Sequence, residues 1–442
     1  MQILGWGRYP RVESTVALLQ SEDAFIDYLQ HTKPQSALDN SYSIIARGLG
    51  RSYGDSSLAS TVLQTQYLNH FQSFDERTGL LKCEAGVSLA QILEVFVPRG
   101  WFLPVTPGTR FVTIGGAIAS DVHGKNHHLN GTFCEHVTQI EMLLGNGQKI
   151  TASPVEHPEL FHATCGGMGL TGVILSASIR LIPISSSNII QTTIKAPNLA
   201  AVLEALEDNQ ESTYSVAWID CLATGKDLGR SLLMLGEHAL EGPLVVQSNK
   251  AIPIPIDMPE FLLNQTTISA FNSLYYNKTL RAKSVQPISY EAFFYPLDAI
   301  ENWNRLYGKS GFVQYQFVVP KAAGEMGLRE ILEMIANSGK GSFLAVLKIF
   351  GKANQNLLSF PLEGYTLALD FKVDTSLFDL LNRLDCLVLK YGGRLYLTKD
   401  ARMSEVTFKS GYPRWFEFEN IRKRYHGIGN FASHQSLRLG LQ

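Results

Sequence analysis

Two glycine-rich stretches decide the fold of this chain: Ala46-Arg-Gly-Leu-Gly-Arg-Ser-Tyr-Gly-Asp55 and Thr106-Pro-Gly-Thr-Arg-Phe-Val-Thr-Ile-Gly-Gly-Ala-Ile-Ala-Ser-Asp-Val-His-Gly-Lys125. Glycine lets the main chain approach a ligand closely and adopt positive φ angles without a steric clash at Cβ. Successive backbone N–H groups in such turns form a concave surface that attracts anions. Together the two loops predict a backbone cradle for a flat or phosphorylated ligand.

A Rossmann dinucleotide site is the first alternative, and the spacing of the glycines fits it poorly. Gly48, Gly50 and Gly54 read G-x-G-x-x-x-G, one residue longer than the Rossmann fingerprint. That motif also needs a strand before it and a helix after it. Residues 43–47 can form the strand, but residues 55–65 are rich in Ser and Thr and lack helical periodicity.

Composition narrows the class of protein. A length of 442 residues exceeds the usual size of one hydrophobic core, so we expect two domains. The net charge of −2 gives no basic surplus and argues against a nucleic-acid partner. The five cysteines are scattered and include no C-x-x-C pair, which predicts reduced thiols in a reducing compartment.

The N-terminus carries no charged region followed by an apolar run, so we expect no signal peptide. No stretch reaches the roughly 18 uncharged apolar residues that a spanning helix needs. These two features predict a protein that is cytoplasmic or peripheral to a membrane.

Periodicity predicts an α+β architecture. In the first part we expect helices at 21–30, 88–96 and 157–164 and a strand within 172–183, with a boundary at Pro183. The middle part carries four strand-like runs and two helical ones, which favours an antiparallel sheet covered by helices. The strands are predicted at 214–220, 312–319, 345–350 and 365–371, and the helices at 321–338 and 377–391. Residues 253–296 have weak periodicity and are predicted to form an ordered excursion or lid.

Several motifs together resemble the FAD-binding domain of the vanillyl-alcohol-oxidase type. They are the first glycine loop (48–55), Thr113-Ile-Gly-Gly-Ala117, His123-Gly-Lys-Asn-His-His128 and residues 166–172. Within that superfamily the chain resembles the decaprenylphosphoryl-ribose oxidases, the flavin subunits of a 2′-epimerase. This narrower resemblance spans nearly the whole chain and is carried by Gly5-Trp-Gly-Arg8 and residues 312–320, 396–402, 412–414 and 431–433.

The resemblance implies a two-domain α+β fold and an activity. Residues 1–183 would form the FAD-binding domain, to which residues 394–442 would return. Residues 184–393 would form a substrate domain with an antiparallel sheet. The implied reaction is FAD-dependent oxidation of the 2′-hydroxyl of a polyprenyl-phosphoryl-ribose to the 2′-keto sugar. The implied partners are an NAD(P)-dependent reductase, which would complete an epimerisation to the arabinose, and a membrane surface that gives access to the lipid tail.

The resemblance also implies where FAD binds. The first loop would wrap the pyrophosphate with backbone N–H groups, and the second would add donors at the start of a short helix. In covalent relatives a histidine of the first loop bonds to the flavin; this chain has Tyr53 there, so we expect non-covalent FAD. The implied cofactor-binding residues are Arg47, Gly48, Leu49, Gly50, Arg51, Ser52, Tyr53, Gly54, Thr106, Pro107, Gly108, Thr113, Ile114, Gly115, Gly116, Ala117, His123, Gly124, Asn126, Gly169, Gly172, Val173, Ile174 and Tyr396.

Oxidation of a secondary alcohol requires removal of the hydroxyl proton and transfer of a hydride to the flavin. Lys399 matches the active-site lysine of the family, and it acts either as the base or as a cation beside the flavin. By resemblance, His123 and Lys125 line the substrate side of the flavin. We name Lys399, His123 and Tyr53 as catalytic, with aromatic packing as the alternative for Tyr53.

Three further residues are predicted to contact substrate. Gln314 and Gln316 alternate with an apolar residue on one strand and so share a face. Lys348 lies between Leu347 and Ile349, and burying a lysine is costly without an anion. Either a substrate phosphate or an internal salt bridge would supply that anion. Lys125 is likewise suited to a phosphate.

The His/Cys cluster within residues 123–136 could suggest a metal site, but its spacing argues against one. A pair of histidines four residues apart binds a metal when a helix brings both rings to one face. Gly124 and Asn126 interrupt such a helix, and no second ligand pair follows.

The chain departs from the family pattern at one strand. Thr366 and Ala368 stand where the best-known members carry Asn and Cys. The missing thiol should remove sensitivity to covalent inhibitors directed at it. Two rival functions stay open: oxidation of a soluble sugar alcohol or aldonolactone, and flavin binding without turnover.

Overall fold

The computed structural model describes residues 1–31, 43–246, 251–259 and 262–441. The helices are α1 (Glu22–His31), α2 (Leu89–Phe96), α3 (Ile114–Ala119), α4 (His127–Asn130), α5 (Pro158–Thr164), α6 (Leu199–Asp208), α7 (Gln265–Asn277), α8 (Tyr290–Phe294), α9 (Gly324–Ser338), α10 (Leu377–Lys390), α11 (Glu405–Gly411), α12 (Trp415–Arg424) and α13 (His434–Arg438). In the described chain, no helix is long and apolar enough to span a membrane.

The strands alternate with these helices along the chain. They are β1 (Gln2–Leu4), β2 (Arg11–Glu13), β3 (Thr15–Leu18), β4 (Ile44–Arg47), β5 (Thr61–Gln64), β6 (Phe71–Asp75), β7 (Leu80–Glu84), β8 (Trp101–Phe102), β9 (Val137–Leu143), β10 (Lys149–Ala152), β11 (Val173–Arg180), β12 (Ile182–Pro183), β13 (Asn188–Ala196), β14 (Tyr214–Ile219), β15 (Ser231–His238), β16 (Ile252–Pro253), β17 (Lys283–Ser289), β18 (Ile300–Glu301), β19 (Phe312–Pro320), β20 (Ala345–Phe350), β21 (Gly364–Lys372) and β22 (Arg394–Leu395).

The first part of the chain contains two sheets that hold the glycine loops. A parallel three-stranded sheet has the order β3-β5-β4, and the first glycine loop leaves the end of β4. A five-stranded antiparallel sheet has the order β10-β9-β11-β7-β6. α2 begins with a capping box, in which the Ser88 side chain accepts from the N–H of Gln91. Thr113 is the N-cap of α3, and its side chain accepts from the N–H of Gly116.

An antiparallel eight-stranded sheet dominates the rest of the molecule, with the order β17-β13-β15-β14-β20-β21-β19-β22. Side chains alternate across it, as strand geometry dictates. On one face Phe317, Leu347 and Leu367 enter the main hydrophobic core, together with residues of α6, α9 and α10. On the other face the strands carry polar side chains that include Gln316 and Lys348. The helices therefore cover one face, and the other is free to form a site.

The α+β class and the four central strands are confirmed, but the prediction of the sheet was incomplete. It missed β13 and β15, and it treated the whole of 253–296 as an excursion, whereas β17 within it is the edge strand of the sheet. The reason is physical: an edge strand with one solvated face carries little apolar periodicity, and β17 reads Lys-Ser-Val-Gln-Pro-Ile-Ser. The domain boundaries at 183 and 394 stay a prediction.

Candidate active site

A cavity of about 530 Å³ lies between the glycine loops and the polar face of the eight-stranded sheet. Predicted cofactor residues on its wall are Arg47, Gly48, Leu49, Gly50, Arg51, Ser52, Tyr53, Thr106, Pro107, Gly108, Thr113, Gly115, Gly116, His123, Gly124, Gly169, Gly172, Ile174 and Tyr396. The predicted substrate residues Lys125, Gln314, Gln316, Lys348 and Lys399 line the same cavity. Residues far apart in sequence are thus brought to one site.

Five predicted cofactor residues lie outside the cavity wall: Gly54, Ile114, Ala117, Asn126 and Val173. Ile114, Ala117 and Val173 are fully buried in apolar clusters. The Asn126 side chain donates to the carbonyl of Pro104 at 2.8 Å. Their assignment as cofactor-binding residues stays a prediction.

Gly54 has a different reason to be glycine. A Cβ placed on it would lie 1.9 Å from the carbonyl oxygen of Asp400. The first glycine loop therefore packs against the turn that follows β22. The N–H of Tyr53 donates to the carbonyl of Thr398 at 3.0 Å and fixes the same contact. This packing brings Lys399 to the cavity.

The loops fit a ligand that needs close main-chain approach. Gly50 adopts φ +64°, a conformation that L side chains rarely take. At Gly48 a Cβ would lie 2.3 Å from Oγ1 of Thr113, so the two glycine loops touch there. The remaining wall carries Arg47 and Arg51. Arg47 donates to the carbonyls of Leu4 and Ser57, and the Arg51 guanidinium lies 4.0 Å from the centroid of the Trp6 ring.

Three lysines line the cavity, and within the part of the chain that the structure describes none of them has a carboxylate in ion-pair contact. Burial lowers the pKa of Lys399 to about 7 and that of Lys348 to about 8. Burial, and then repulsion by Lys348, lowers the pKa of Lys125 to about 7. The Lys125 ammonium donates to the carbonyl of Phe293 and lies 4.2 Å from that ring's centroid. Because no salt bridge holds Lys348 within the described residues, the internal ion pair considered for it was wrong.

Asp370 is the carboxylate whose charge raises the pKa of Lys399, and it lies behind the cavity wall. It is completely buried, and its Oδ1 accepts from Nε2 of Gln314 at 2.6 Å. Burial raises the pKa of Asp370 to about 7, opposed by that hydrogen bond and by the charge of Lys399. The sequence analysis missed this residue. Its signal was present, since an acid in the apolar run Tyr365-Thr-Leu-Ala-Leu-Asp-Phe371 needs a partner.

Tyr53 lies between the loop and the sheet. Lys399 Nζ is 3.9 Å from the centroid of its ring, and the ring packs edge-on against Phe312. Burial, followed by the nearby Asp370 carboxylate, raises the pKa of Tyr53, so its phenol stays protonated. Tyr53 therefore packs as an aromatic and also contacts the lysine.

The histidines that suggested a metal are used in other ways. His127 Nδ1 accepts from the N–H of Gly351 at 3.2 Å, and the ring of His128 bonds to the carbonyl of Ser212. Burial lowers the pKa of His127 to about 3. No group of metal-ligating side chains occurs within the residues that the structure describes.

The fold and the cavity define a class of protein. Residues 21–153 match the family model of an FAD binding domain, and the glycine-lined wall fits that cofactor. The protein is an FAD-dependent oxidoreductase with an α+β fold, so the expected cofactor is confirmed.

Relatives narrow the class further. The chain is 38% identical to decaprenylphosphoryl-β-D-ribose oxidase of Mycolicibacterium smegmatis, with 100% of this chain and 97% of that protein covered. It is 31% identical to a Streptomyces coelicolor protein described as uncharacterized in the mprA 5′ region, over 80% of this chain and 100% of that one. A putative D-arabinono-1,4-lactone oxidase of Neurospora crassa is 30% identical over 32% of this chain and 25% of that one. The chain belongs to the decaprenylphosphoryl-β-D-ribose oxidase family.

Proposed function

We propose that this protein oxidises the 2′-hydroxyl of a polyprenyl-phosphoryl-ribose to the 2′-keto sugar, the first half of an epimerisation to the arabinose. The observation that carries the proposal is the set of three half-buried lysines that face one cavity and have no carboxylate in ion-pair contact among the described residues. Buried cations need an anion. A phosphodiester-linked sugar supplies one, whereas a soluble sugar alcohol or lactone does not.

The glycine loops would hold FAD, without a covalent bond because Tyr53 takes the place of the attaching histidine. When bound, FAD supplies the hydride acceptor for the alcohol carbon. Main-chain N–H groups of the loops would donate to its phosphates, and the positive charges of Arg47 and Arg51 on the same wall would favour these anions. The polar sheet face, which carries Gln314 and Gln316, would lie opposite the loops.

Lys399 would take the proton from the hydroxyl at its Nζ atom. A lysine accepts a proton only when neutral, and burial lowers the pKa of Lys399 to about 7, so much of it is neutral near that pH. The buried Asp370 stabilises the ammonium that forms, because its charge raises the pKa of Lys399. Asp370 therefore keeps the lysine from losing its basicity altogether.

Lys125 and Lys348 would bind the phosphate of the substrate. The amide nitrogen of Gln314 hydrogen-bonds to Asp370, and that of Gln316 hydrogen-bonds to His123. Their carbonyl oxygens are then the atoms that accept from sugar hydroxyls. The pentose would thus be held between the lysines and the glutamines.

The lipid tail would leave the cavity along α7. Tyr275 of this helix and Lys278 after it line the cavity, while Leu274 is 74% exposed and Leu280 is 92% exposed. An element that lines the site and also presents large apolar side chains to solvent suits a prenyl chain or the surface of a membrane. The 2′-ketone product then requires a reductase, for which an NAD(P)H-dependent partner is the expected type.

The test is the anaerobic visible spectrum of the purified protein before and after addition of a short-chain prenyl-phosphoryl ribose. Loss of the oxidised-flavin band is expected with this substrate. Free ribose, a sugar alcohol and an aldonolactone serve as matched additions and should leave the band intact. Bleaching by the soluble compounds alone would favour the soluble-sugar function, and a yellow protein that no alcohol bleaches would favour flavin binding without turnover.

A further inference from the structure

Hydrogen bonds connect His123 to Gln316, Gln316 to Thr366, and Thr366 to the main chain. The bond that Thr366 makes to the main chain decides which atoms donate in the other two. Thr366 of β21 and Gln316 of the neighbouring β19 are both buried on the cavity side of the sheet. The Thr366 hydroxyl donates to the carbonyl oxygen of Phe317 at 2.8 Å. A hydroxyl carries a single proton, so the oxygen of Thr366 can only accept from any further partner.

This requirement fixes the orientation of the Gln316 amide. The amide nitrogen lies 3.3 Å from Oγ1 of Thr366 and 3.1 Å from Nε2 of His123. The atom that faces Thr366 must be a donor, which makes it the NH2 group and excludes the carbonyl oxygen. The second proton of the same nitrogen then points to His123. Nε2 of His123 therefore accepts and carries no proton.

The remaining ring nitrogen of His123 follows from its charge. Burial holds the pKa of His123 well below its usual range, and the nearby Lys348, His127 and Lys399 lower it further, so the ring is neutral. A neutral imidazole without a proton on Nε2 carries it on Nδ1. Nδ1 has no hydrogen-bond partner among the residues that the structure describes.

Packing holds the ring in this orientation. Phe350 and Tyr396 lie against it, with ring centroids 4.8 Å and 5.1 Å from that of His123. The imidazole cannot turn over within this aromatic cage without breaking its bond to Gln316. Its orientation and its tautomer are therefore coupled.

We propose that Thr366 and Gln316 are positioning residues that hold His123 as the neutral Nδ1–H tautomer, so that its ring does not act as the base of the reaction. The only basic nitrogen of the ring is occupied by Gln316, and removal of the substrate proton is left to Lys399. The effect on turnover rests on the proposed function, whereas the tautomer does not depend on it.

The tautomer can be measured directly in the FAD-loaded protein labelled with ¹⁵N-histidine. Long-range ¹H–¹⁵N correlations distinguish protonated from unprotonated ring nitrogens, and the His123 signals are identified by their loss in His123→Asn. We expect a protonated Nδ1 and an unprotonated Nε2 that do not change between about pH 6 and pH 8. An Nε2–H tautomer or an imidazolium in the wild-type protein overturns the inference.

Variants test the origin of the tautomer. Thr366→Val keeps the shape of the side chain and removes the hydroxyl, which frees the Gln316 amide to turn. We expect Nε2–H signals to appear and kcat to fall about three- to tenfold, the size expected for one misplaced hydrogen bond. Thr366→Ser should restore both. An unchanged tautomer in Thr366→Val contradicts the proposed origin.

Gln316→Met provides a second test that keeps the length of the side chain and removes the donor. It should release the tautomer in the same way, even if Thr366→Val does not fold. A wild-type Nδ1–H tautomer in a protein that fails to oxidise any prenyl-phosphoryl ribose would refute the proposed function and leave this inference standing.

Discussion

At the residue scale, the site combines Lys399 and Asp370, and burial disfavours the charged form of each. Burial lowers the pKa of Lys399 to about 7 and raises that of Asp370 to about 7. If Lys399 is the base, it must be neutral, so flavin reduction should accelerate as the pH rises through about 7 and then level off. The measurement is the pH profile of the anaerobic reductive half-reaction.

Lys399→Met should slow that half-reaction by about 10²- to 10⁴-fold, the usual contribution of a general base. The FAD content should be retained, because the loops that would hold the cofactor are unchanged. Lys399→Arg supplies the control, since it keeps the cation and removes the base. Near-normal reduction in Lys399→Arg, or a rate that falls above about pH 7, would assign Lys399 the role of a cation instead.

A second prediction at this scale concerns Lys348. Lys348→Met should raise KM for a prenyl-phosphoryl ribose about 10- to 100-fold, the range expected for a charge-assisted hydrogen bond to an anion, while kcat changes little. Lys352→Met, which removes an exposed lysine after the same strand, is the matched control and should leave KM unchanged. Equal KM values for wild type and Lys348→Met would mean that the phosphate binds elsewhere.

At the scale of elements, the first glycine loop and the turn after β22 are held together by close backbone contact. Gly54→Ala would place a methyl group 1.9 Å from the carbonyl oxygen of Asp400 and so push Lys399 away from the cavity. We expect a loss of about 1–3 kcal/mol in the free energy of unfolding and a lower rate of flavin reduction. Thermal unfolding and the reductive half-reaction measure the two effects.

Gly108→Ala is the stability control for that change, because a Cβ there meets no atom within 4 Å. The two variants add the same methyl group to the two glycine-rich stretches. Equal melting temperatures in Gly54→Ala and Gly108→Ala would show that the contact with Asp400 is not rigid.

Arg438 of α13 forms salt bridges with both Asp55 and Asp400, and so connects the first glycine loop and the turn after β22 to α13.

At the scale of the whole molecule, one surface is expected to meet lipid. The double variant Leu274→Ser, Leu280→Ser removes two large exposed apolar side chains near the cavity. It should weaken sedimentation with phospholipid vesicles and raise KM for long-chain substrates, with little effect on a short-chain analogue. Val155→Ser, at a position that is 92% exposed in the loop after β10, serves as the control. Unchanged vesicle binding in the double variant would remove α7 from the membrane contact.

Sequence by itself determined the elements whose periodicity matches their environment. β19, β20 and β21 carry strong apolar alternation because one face packs on helices, and α2 carries both its apolar stripe and its serine cap. The glycine spacing indicated the cradle, since Gly50 at φ +64° takes a conformation that L side chains rarely adopt, and a Cβ on Gly48 would meet Thr113 of the second loop. The cofactor and the family also followed from motifs, because those residues stand close together along the chain.

Only the tertiary structure decided which side chains meet. Lys125, Lys348 and Lys399 come from three separate segments, and their common cavity depends on the order of strands in the sheet. The same is true of Asp370, and of Gly54 and Asn126, which are buried but do not line the cavity. Sequence periodicity states which residues share a face of one element. It does not state which element lies opposite, and the pKa of each lysine is set by that neighbour and by burial.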